Sequence, residues 1–156
     1  MSGDGGVEIR LARPSDLLAL LALEQESFDE PWVMASLQEA VAGERYRVLI
    51  AHCEGTPCGY VIASTVGDEG EIARIAVGMA WRRRGLGRRL LKAALDECRQ
   101  RGVLRFFLEV RAGNEVALRL YERAGFRRTG LRRRYYRDGE DAVIMEIVLN
   151  RNSIES

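Results

Sequence analysis

Histidine, cysteine and proline are scarce in this sequence, whose 156 residues include one histidine, three cysteines and three prolines. Cys53, Cys58 and Cys98 are an odd number, and their spacing matches neither a disulfide-stapled scaffold nor a zinc site. We therefore expect reduced, structural cysteines and no metal. The single histidine, His52, is expected in a strand beside a turn, where a surface role is favoured over catalysis.

Long apolar runs and an excess of one charge are also absent. No run approaches the ~20 apolar residues of a transmembrane helix, and residues 1–6 lack the charged and apolar regions of a secretory signal. The net charge is only +1, which gives no overall electrostatic case for binding nucleic acid. We expect a single cytoplasmic domain over residues 1–156, with residues 1–6 disordered and no direct contact with membrane or nucleic acid.

The apolar pattern predicts a mixed α/β protein with the element order β-α-α-β-β-β-α-β-α-β-β. Ser15 is expected to cap a well-buried first helix, and Gly102 and Gly125 end the third and fourth helices. A crossover of this length favours parallel pairing of the strand over 103–110, which we expect to be buried on both faces. The predicted strands cover 7–12, 45–53, 59–66, 71–77, 103–110, 126–136 and 142–149, and the helices begin near residues 15, 33, 86 and 114.

An arginine-rich glycine turn separates the apolar strand over 71–77 from the third helix, which runs over 86–100. Backbone N–H groups at such a helix start attract phosphate, and arginines there are unfavourable unless an anion compensates them. The R-x-x-G-x-G pattern lacks the third glycine of a dinucleotide site and the Gly-Lys-Ser/Thr ending of a P-loop. A phosphate site for another ligand is favoured over a solvated basic helix start. The turn consists of Arg82, Arg83, Arg84, Gly85, Leu86, Gly87 and Arg88.

Glu109 interrupts an otherwise apolar strand. Desolvation there would raise the pKa of its carboxyl group toward that of a general base, but a pair with Arg111 or another arginine is an equally good interpretation. Tyr121 falls on the apolar stripe of the fourth helix, where a core tyrosine is expected. The basic and aromatic residues of 132–136 are compatible with RNA contact or with a solvated strand.

The element order and several motifs resemble the GCN5-related acetyltransferases (GNAT), and within them the bacterial ribosomal-protein-alanine N-acetyltransferases. The resemblance covers nearly the whole chain, and its glutamate and double-tyrosine segments are more specific than its glycine turn. The motifs are Phe28…Pro31-Trp32, Ile75-Ala76-Val77, the turn over 82–88, Leu108-Glu109-Val110-Arg111-Ala112-x-Asn114, Leu120-Tyr121-Glu122, Gly125-Phe126 and Arg133-x-Tyr135-Tyr136…Glu140-Asp141-Ala142.

The resemblance implies an enzyme that uses acetyl-CoA and no metal to acetylate a protein N-terminus, in particular the N-terminal alanine of a small-subunit ribosomal protein. It makes Glu109 the general base and Tyr121 the general acid. The predicted cofactor-binding residues are Ile75, Ala76, Val77, the turn over 82–88 and Asn114, and the predicted walls of the peptide groove are Phe28, Pro31 and Trp32 on one side and Tyr135 and Tyr136 on the other.

Some residues depart from the family pattern. Gly78-Met79 replaces an acidic-proline turn, Arg134 stands where asparagine is common, and the last hairpin turn looks shortened. These departures leave open whether the acceptor is another N-terminus, a lysine or a small amine. A non-catalytic acetyl-CoA sensor and a ribosome- or RNA-binding module are further alternatives.

Overall fold

A computed structural model describes residues 6–149, so residues 1–5 of the segment 1–6 that is predicted to be disordered lie outside the described residues. The carbonyl of Gly6 accepts a hydrogen bond from the N–H of Glu54 at 3.0 Å. The described chain forms seven strands and four α-helices in the predicted order. The strands are β1 (Val7–Leu11), β2 (Tyr46–Cys53), β3 (Thr56–Val66), β4 (Glu69–Val77), β5 (Arg105–Arg111), β6 (Arg127–Arg132) and β7 (Ala142–Val148). The helices are α1 (Leu17–Ser27), α2 (Met34–Ala42), α3 (Leu86–Arg99) and α4 (Glu115–Ala124).

The strands form one mixed sheet in the order β1-β2-β3-β4-β5-β7-β6. The pairs are antiparallel except for β4 with β5, which the α3 crossover joins in parallel as predicted. β7 lies between β5 and β6. Because α3 returns the chain to the start of the neighbouring strand, β5 runs parallel to β4.

Helices cover both faces of the sheet. Along β3, Tyr60 and Ile62 pack with α1 and α2, whereas Val61 and Ala63 pack with α3, because successive side chains of a strand point to opposite faces. The predicted apolar face of α3 is fully buried. Each buried leucine in these two cores contributes roughly 2 kcal/mol by removal of apolar surface from water.

Two predictions about the first helix are wrong. Ser15 lies in a 3₁₀ turn and does not cap α1; instead the Asp16 carboxylate accepts a hydrogen bond from the N–H of Arg13 at 2.7 Å. The helix is also buried on one side only, since Leu20 is fully buried while the side chain of Leu18 is 77% exposed.

Strand β5 is buried on one face, not on both as predicted. Phe106, Leu108 and Val110 enter the core beneath α3 and α4. Phe107 and Glu109 point to the other face, where they are only half-buried. The nearly continuous apolar sequence of β5 does not predict this difference, because the difference depends on where the helices lie. Helices α1 and α2 pack against β2, β3 and β4 and do not extend over β5.

The predicted strand over 126–136 is also too long. β6 ends at Arg132, and Tyr135 and Tyr136 lie in the connection to β7. The Tyr136 N–H donates to the carbonyl of Glu140 at 3.2 Å, which folds this connection back on itself. Among residues 6–149, no helix is both long enough and apolar enough to cross a membrane.

Candidate active site

Strands β4 and β5 pair only at their beginnings, where Glu69–Glu71 lie beside Arg105–Phe107. Beyond that point β4 continues along β3 and β5 continues along β7. The ladder between them therefore stops in the middle of the sheet. The resulting gap lies between the ends of two strands and exposes backbone groups that a continuous sheet would pair.

The register of β4 shows which of its backbone groups point into the gap. Val77 lies opposite Gly59, and the next N–H, that of Gly78, donates to the carbonyl of Cys58 at 2.8 Å. This arrangement makes Val77 and Gly59 a non-hydrogen-bonded pair, so the N–H and C=O of Val77 point away from β3. The same holds two residues earlier for Ile75.

Ala76 differs from its two predicted neighbours. It alternates with them, so its backbone groups pair with β3 and its side chain is buried beneath α1. Of the three residues predicted to bind the donor along β4, Ile75 and Val77 therefore present backbone donors and acceptors to the gap, whereas Ala76 does not. The carbonyl of Val77 already accepts a hydrogen bond from Arg82 Nε at 2.8 Å.

The start of α3 is suited to bind an anion. Gly85, with φ of 79°, lies in the left-handed region and carries no side chain that could cap the helix. The first helical hydrogen bond runs from the N–H of Arg89 to the carbonyl of Gly85. Within the described part of the chain, the N–H groups of Leu86, Gly87 and Arg88 have no acceptor. Three N–H groups and the positive end of the helix dipole therefore converge on one point.

The arginines around this helix start add positive charge. Arg83 is exposed and has a left-handed φ of 66°, a conformation that is uncommon for residues other than glycine. Arg84 lies over the ring of Trp81 at 5.2 Å. The positive end of the helix dipole repels these arginines. Their presence there therefore favours a bound phosphate over a solvated helix start.

Glu109 lies on the open face of β5 and is not a lone carboxylate. Its Oε1 accepts a hydrogen bond from the Tyr135 hydroxyl at 2.9 Å, and its Oε2 lies 3.2 Å from Arg132 Nε. The arginine partner is Arg132 and not Arg111. The hydrogen bond also raises the pKa of Tyr135, so its hydroxyl remains a donor at neutral pH.

Glu71 is a second carboxylate on this face, which the sequence analysis missed. It lies opposite Phe107 in the parallel register, and burial, followed by the charge of Glu109, raises its pKa. Arg132 acts in the opposite direction. The sequence shows Glu71 as a charged residue in a predicted strand. Its position beside β5, however, follows only from the register of β4 and β5.

Tyr121 lies in the core on the other face of β5. Its ring packs edge-on against Phe126 at 5.7 Å, and burial raises the pKa of its hydroxyl to about 12. The phenol is therefore protonated at neutral pH and able to donate. Because Leu108 and Val110 belong to the same core, Tyr121 and Glu109 approach the strand from opposite faces.

Asn114 is the N-cap of α4, at the position where the sequence predicts this helix to begin. Its Oδ1 accepts a hydrogen bond from the N–H of Ala117 at 3.1 Å. Asn114 is exposed and follows the end of β5 by three residues.

One exposed ion pair links the two loops that carry the predicted groove walls. Phe28, Pro31 and Trp32 lie in the connection between α1 and α2, which we call the α1–α2 loop (residues 28–33). Arg137 from the β6–β7 connection lies 3.5 Å from the Glu30 carboxylate of this loop. The rings of Tyr135 and Tyr136 contact each other edge-on at 5.1 Å.

Comparison with known proteins shows that residues 17–126 match the Acetyltransferase (GNAT) family. The chain belongs to this family. The predicted fold and enzyme class are thereby confirmed, since GNAT enzymes transfer acetyl groups and use acetyl-CoA. The gap between β4 and β5 and the N–H groups without acceptors at the start of α3 are the parts of this acetyltransferase that could hold such a donor.

Named relatives are similar over most of their length. The [Ribosomal protein bS18]-alanine N-acetyltransferase of Escherichia coli is 40% identical over 142 residues, covering 87% of this chain and 93% of the relative. The N-alpha-acetyltransferase RimI of Mycobacterium tuberculosis is 43% identical over 130 residues, covering 79% and 80%. The crystal structure of the ribosomal-protein-S18-alanine N-acetyltransferase from Escherichia coli superposes with a TM-score of 0.85 at 37% identity, covering 92% and 94%.

The cysteines of this acetyltransferase are free and buried. Within residues 6–149, no three His, Cys, Asp or Glu side chains are grouped in a way that would hold a metal ion. His52 lies in β2 opposite Glu8, next to the β2–β3 turn, as its position in the sequence predicts.

Proposed function

We propose that this acetyltransferase transfers the acetyl group of acetyl-CoA to the N-terminal α-amino group of a protein, with the N-terminal alanine of a small-subunit ribosomal protein as its substrate. The similarity to named enzymes of this specificity supports the substrate class. The observation that carries the proposal is the position of Glu109, which lies on the open face of β5 and accepts a hydrogen bond from Tyr135 of the β6–β7 connection. A ribosomal-protein substrate would place the enzyme in the cytoplasm.

In this proposal the donor lies in the gap between β4 and β5. The N–H groups of Leu86, Gly87 and Arg88, with the surrounding arginines, hold its pyrophosphate. The backbone groups of Ile75 and the carbonyl of Val77 pair with its pantetheine arm, as an added strand would, which leaves the Val77 N–H for the thioester carbonyl. This arrangement leads the thioester to the point where the two strands separate.

The acceptor amine attacks the thioester carbonyl directly, so no covalent enzyme intermediate is required. Glu109 takes the proton that the amine loses as the C–N bond forms. The Val77 N–H stabilises the negative charge on the carbonyl oxygen. When the C–S bond breaks, Tyr121 gives its proton to the departing thiolate and recovers a proton from solvent.

The preference for an N-terminus follows from proton affinity. An α-amino group has a pKa near ~8 and a lysine side chain has one near ~10.4, so the α-amino group is more readily deprotonated at neutral pH. Phe28, Pro31 and Trp32 form one side of the acceptor groove, and Tyr135 and Tyr136 form the other. A small first side chain fits between these walls, and the following residues extend along the groove.

A peptide library tests this proposal. Peptides that differ only in their first two residues are incubated with enzyme and acetyl-CoA, and mass spectrometry locates the acetyl group. We expect modification at the α-amino group, with alanine-first peptides modified fastest. Modification confined to lysine side chains or to small amines would contradict the proposed acceptor, and donor binding without any transfer would indicate an acetyl-CoA sensor.

A further inference from the structure

Glu24, in the last turns of α1, is a carboxylate with no exposed surface. Burial of an ionised carboxylate is unfavourable unless charged and hydrogen-bonding partners compensate it. This residue has no role in the proposed mechanism. Its partners show what it connects.

The Glu24 carboxylate receives donors from two directions. From the core, the Tyr60 hydroxyl on β3 donates to its Oε1. Burial, and then the contact with Glu24, raises the pKa of Tyr60 well above its usual range, so this hydroxyl remains a donor. From the other direction, the N–H of Trp32 donates to Oε2 at 2.7 Å and Arg74 Nε donates to the same oxygen at 3.0 Å.

Arg74, on β4, extends the network into the α1–α2 loop. Its guanidinium donates to the carbonyl of Glu30 at 2.9 Å and lies 3.9 Å from the centre of the Phe28 ring. The Trp32 ring is 5.9 Å away. Glu24 therefore binds the backbone N–H of Trp32. Arg74 binds the backbone carbonyl of Glu30 and stacks on the ring of Phe28.

We propose that Glu24, through Arg74, is a positioning residue that holds the α1–α2 loop as the rigid wall of the acceptor groove. The loop lies outside regular secondary structure, so these contacts supply backbone partners that a helix or strand would otherwise give. Loss of the network weakens acceptor binding and leaves donor binding unchanged. The inference rests on the proposed function in its assignment of this loop to the acceptor.

Glu24→Gln is the first test. The amide has one acceptor oxygen where the carboxylate has two, yet three donors face it, so either the Tyr60 side or the Trp32 and Arg74 side loses its partner. Arg74→Lys is the second variant, since lysine keeps the charge but cannot bond Glu24 and Glu30 together through a planar fork.

A matched control lies at the other end of α1. Asp16 is a buried carboxylate that, like Glu24, binds an arginine, Arg10 at 2.8 Å, and a backbone N–H, that of Arg13 at 2.7 Å. It lies before the helix, and the hydrogen bonds and ion pair of its carboxylate within residues 6–149 go to Arg10 and Arg13 and not to the α1–α2 loop. Asp16→Asn therefore removes a comparable buried pair without the proposed positioning effect.

Two measurements decide the proposal. Hydrogen exchange in the protein without substrates should become ~10-fold faster across residues 28–33 in Glu24→Gln and Arg74→Lys, the scale of one lost charge-assisted hydrogen bond, and should not change there in Asp16→Asn. With an alanine-first peptide, the peptide KM should rise ~10-fold in both variants, while kcat and the Kd for acetyl-CoA stay within about twofold.

Unchanged exchange in the loop, or a loss of acetyl-CoA affinity as large as the loss of peptide affinity, would overturn the positioning role. Faster exchange with an unchanged peptide KM would do the same. If the wild-type enzyme leaves the alanine-first peptide unmodified, the proposed function fails by itself. The exchange experiment still decides whether Glu24 orders the loop.

Discussion

Replacing Glu109 with glutamine removes the proposed general base and changes little else. The Arg132 side chain that pairs with it is 58% exposed, so the lost ion pair should cost less than ~1 kcal/mol of folding free energy. Glutamine has nearly the same volume, and its amide oxygen can still accept the hydrogen bond from the Tyr135 hydroxyl. The fold should therefore survive with a stability close to that of the wild type.

The effect on turnover should be much larger. A positioned general base contributes ~10²–10⁴ to the rate, which corresponds to ~3–5 kcal/mol of the activation barrier. We expect kcat of Glu109→Gln to fall by this factor, with the Kd for acetyl-CoA within about twofold of the wild type. The assay is the initial rate of CoA release with saturating donor and varied peptide, under conditions in which the chemical step limits turnover.

Glu71→Gln is the matched control, because it removes the neighbouring carboxylate on the same face. Its kcat should stay within about threefold of the wild type if Glu109 alone accepts the proton. Near-wild-type turnover of Glu109→Gln would remove this residue from the mechanism. A loss of ~10²-fold in Glu71→Gln with Glu109→Gln active would transfer the role of base to Glu71.

Three further predictions concern the donor site, the general acid and the second carboxylate. A Cβ at Gly87 would lie 3.6 Å from Leu120, which is an ordinary contact, so Gly87→Leu should fold. Its side chain should block the approach of the pyrophosphate and weaken acetyl-CoA binding by at least ~100-fold, and undiminished binding in calorimetry would disprove the assignment of the turn over 82–88 to the donor. Tyr121→Phe keeps the ring packing and should lower kcat by ~10²-fold. Because burial raises the pKa of Tyr121 to about 12, its hydroxyl does not ionise below pH ~10, so any alkaline decline of wild-type activity in that range should persist in the variant. The raised pKa of Glu71 makes its ionised form unfavourable in the folded state, so this penalty appears as pH rises through the unfolded value of about 4.5. The stability of Glu71→Gln relative to the wild type should therefore increase as pH rises above that value, and a pH-independent difference in thermal unfolding would contradict this.

The parts of the fold that could be predicted are those written in local periodicity. The apolar face of α3, its glycine-rich start and the capping of α4 by Asn114 depend on residues three or four positions apart, which the sequence shows directly. Burial of β5 on one face could not be predicted this way. It depends on where α1 and α2 end over the sheet, and Phe107 would be apolar under either arrangement.

The candidate site shows the same limit. Its residue types were visible in the sequence, but their partners were not, because the decisive contacts join distant positions. Glu109 contacts Arg132 and Tyr135 in a sheet in which β7 lies between β5 and β6, and this strand order is not visible in the sequence. The contact between Glu24 and Arg74 likewise joins distant positions, since α2, β2 and β3 lie between them in the sequence.

The proposed acceptor is tested most directly by competition between two peptides. One begins with a free alanine, and the other has the same sequence with a blocked N-terminus and an internal lysine. Mass spectrometry of a mixture at neutral pH follows acetylation of each amine. Since the α-amino group is deprotonated about two orders of magnitude more often, and the groove adds to this preference, the alanine peptide should be acetylated at least ~10-fold faster. Equal rates for the two peptides would contradict the proposed specificity for protein N-termini.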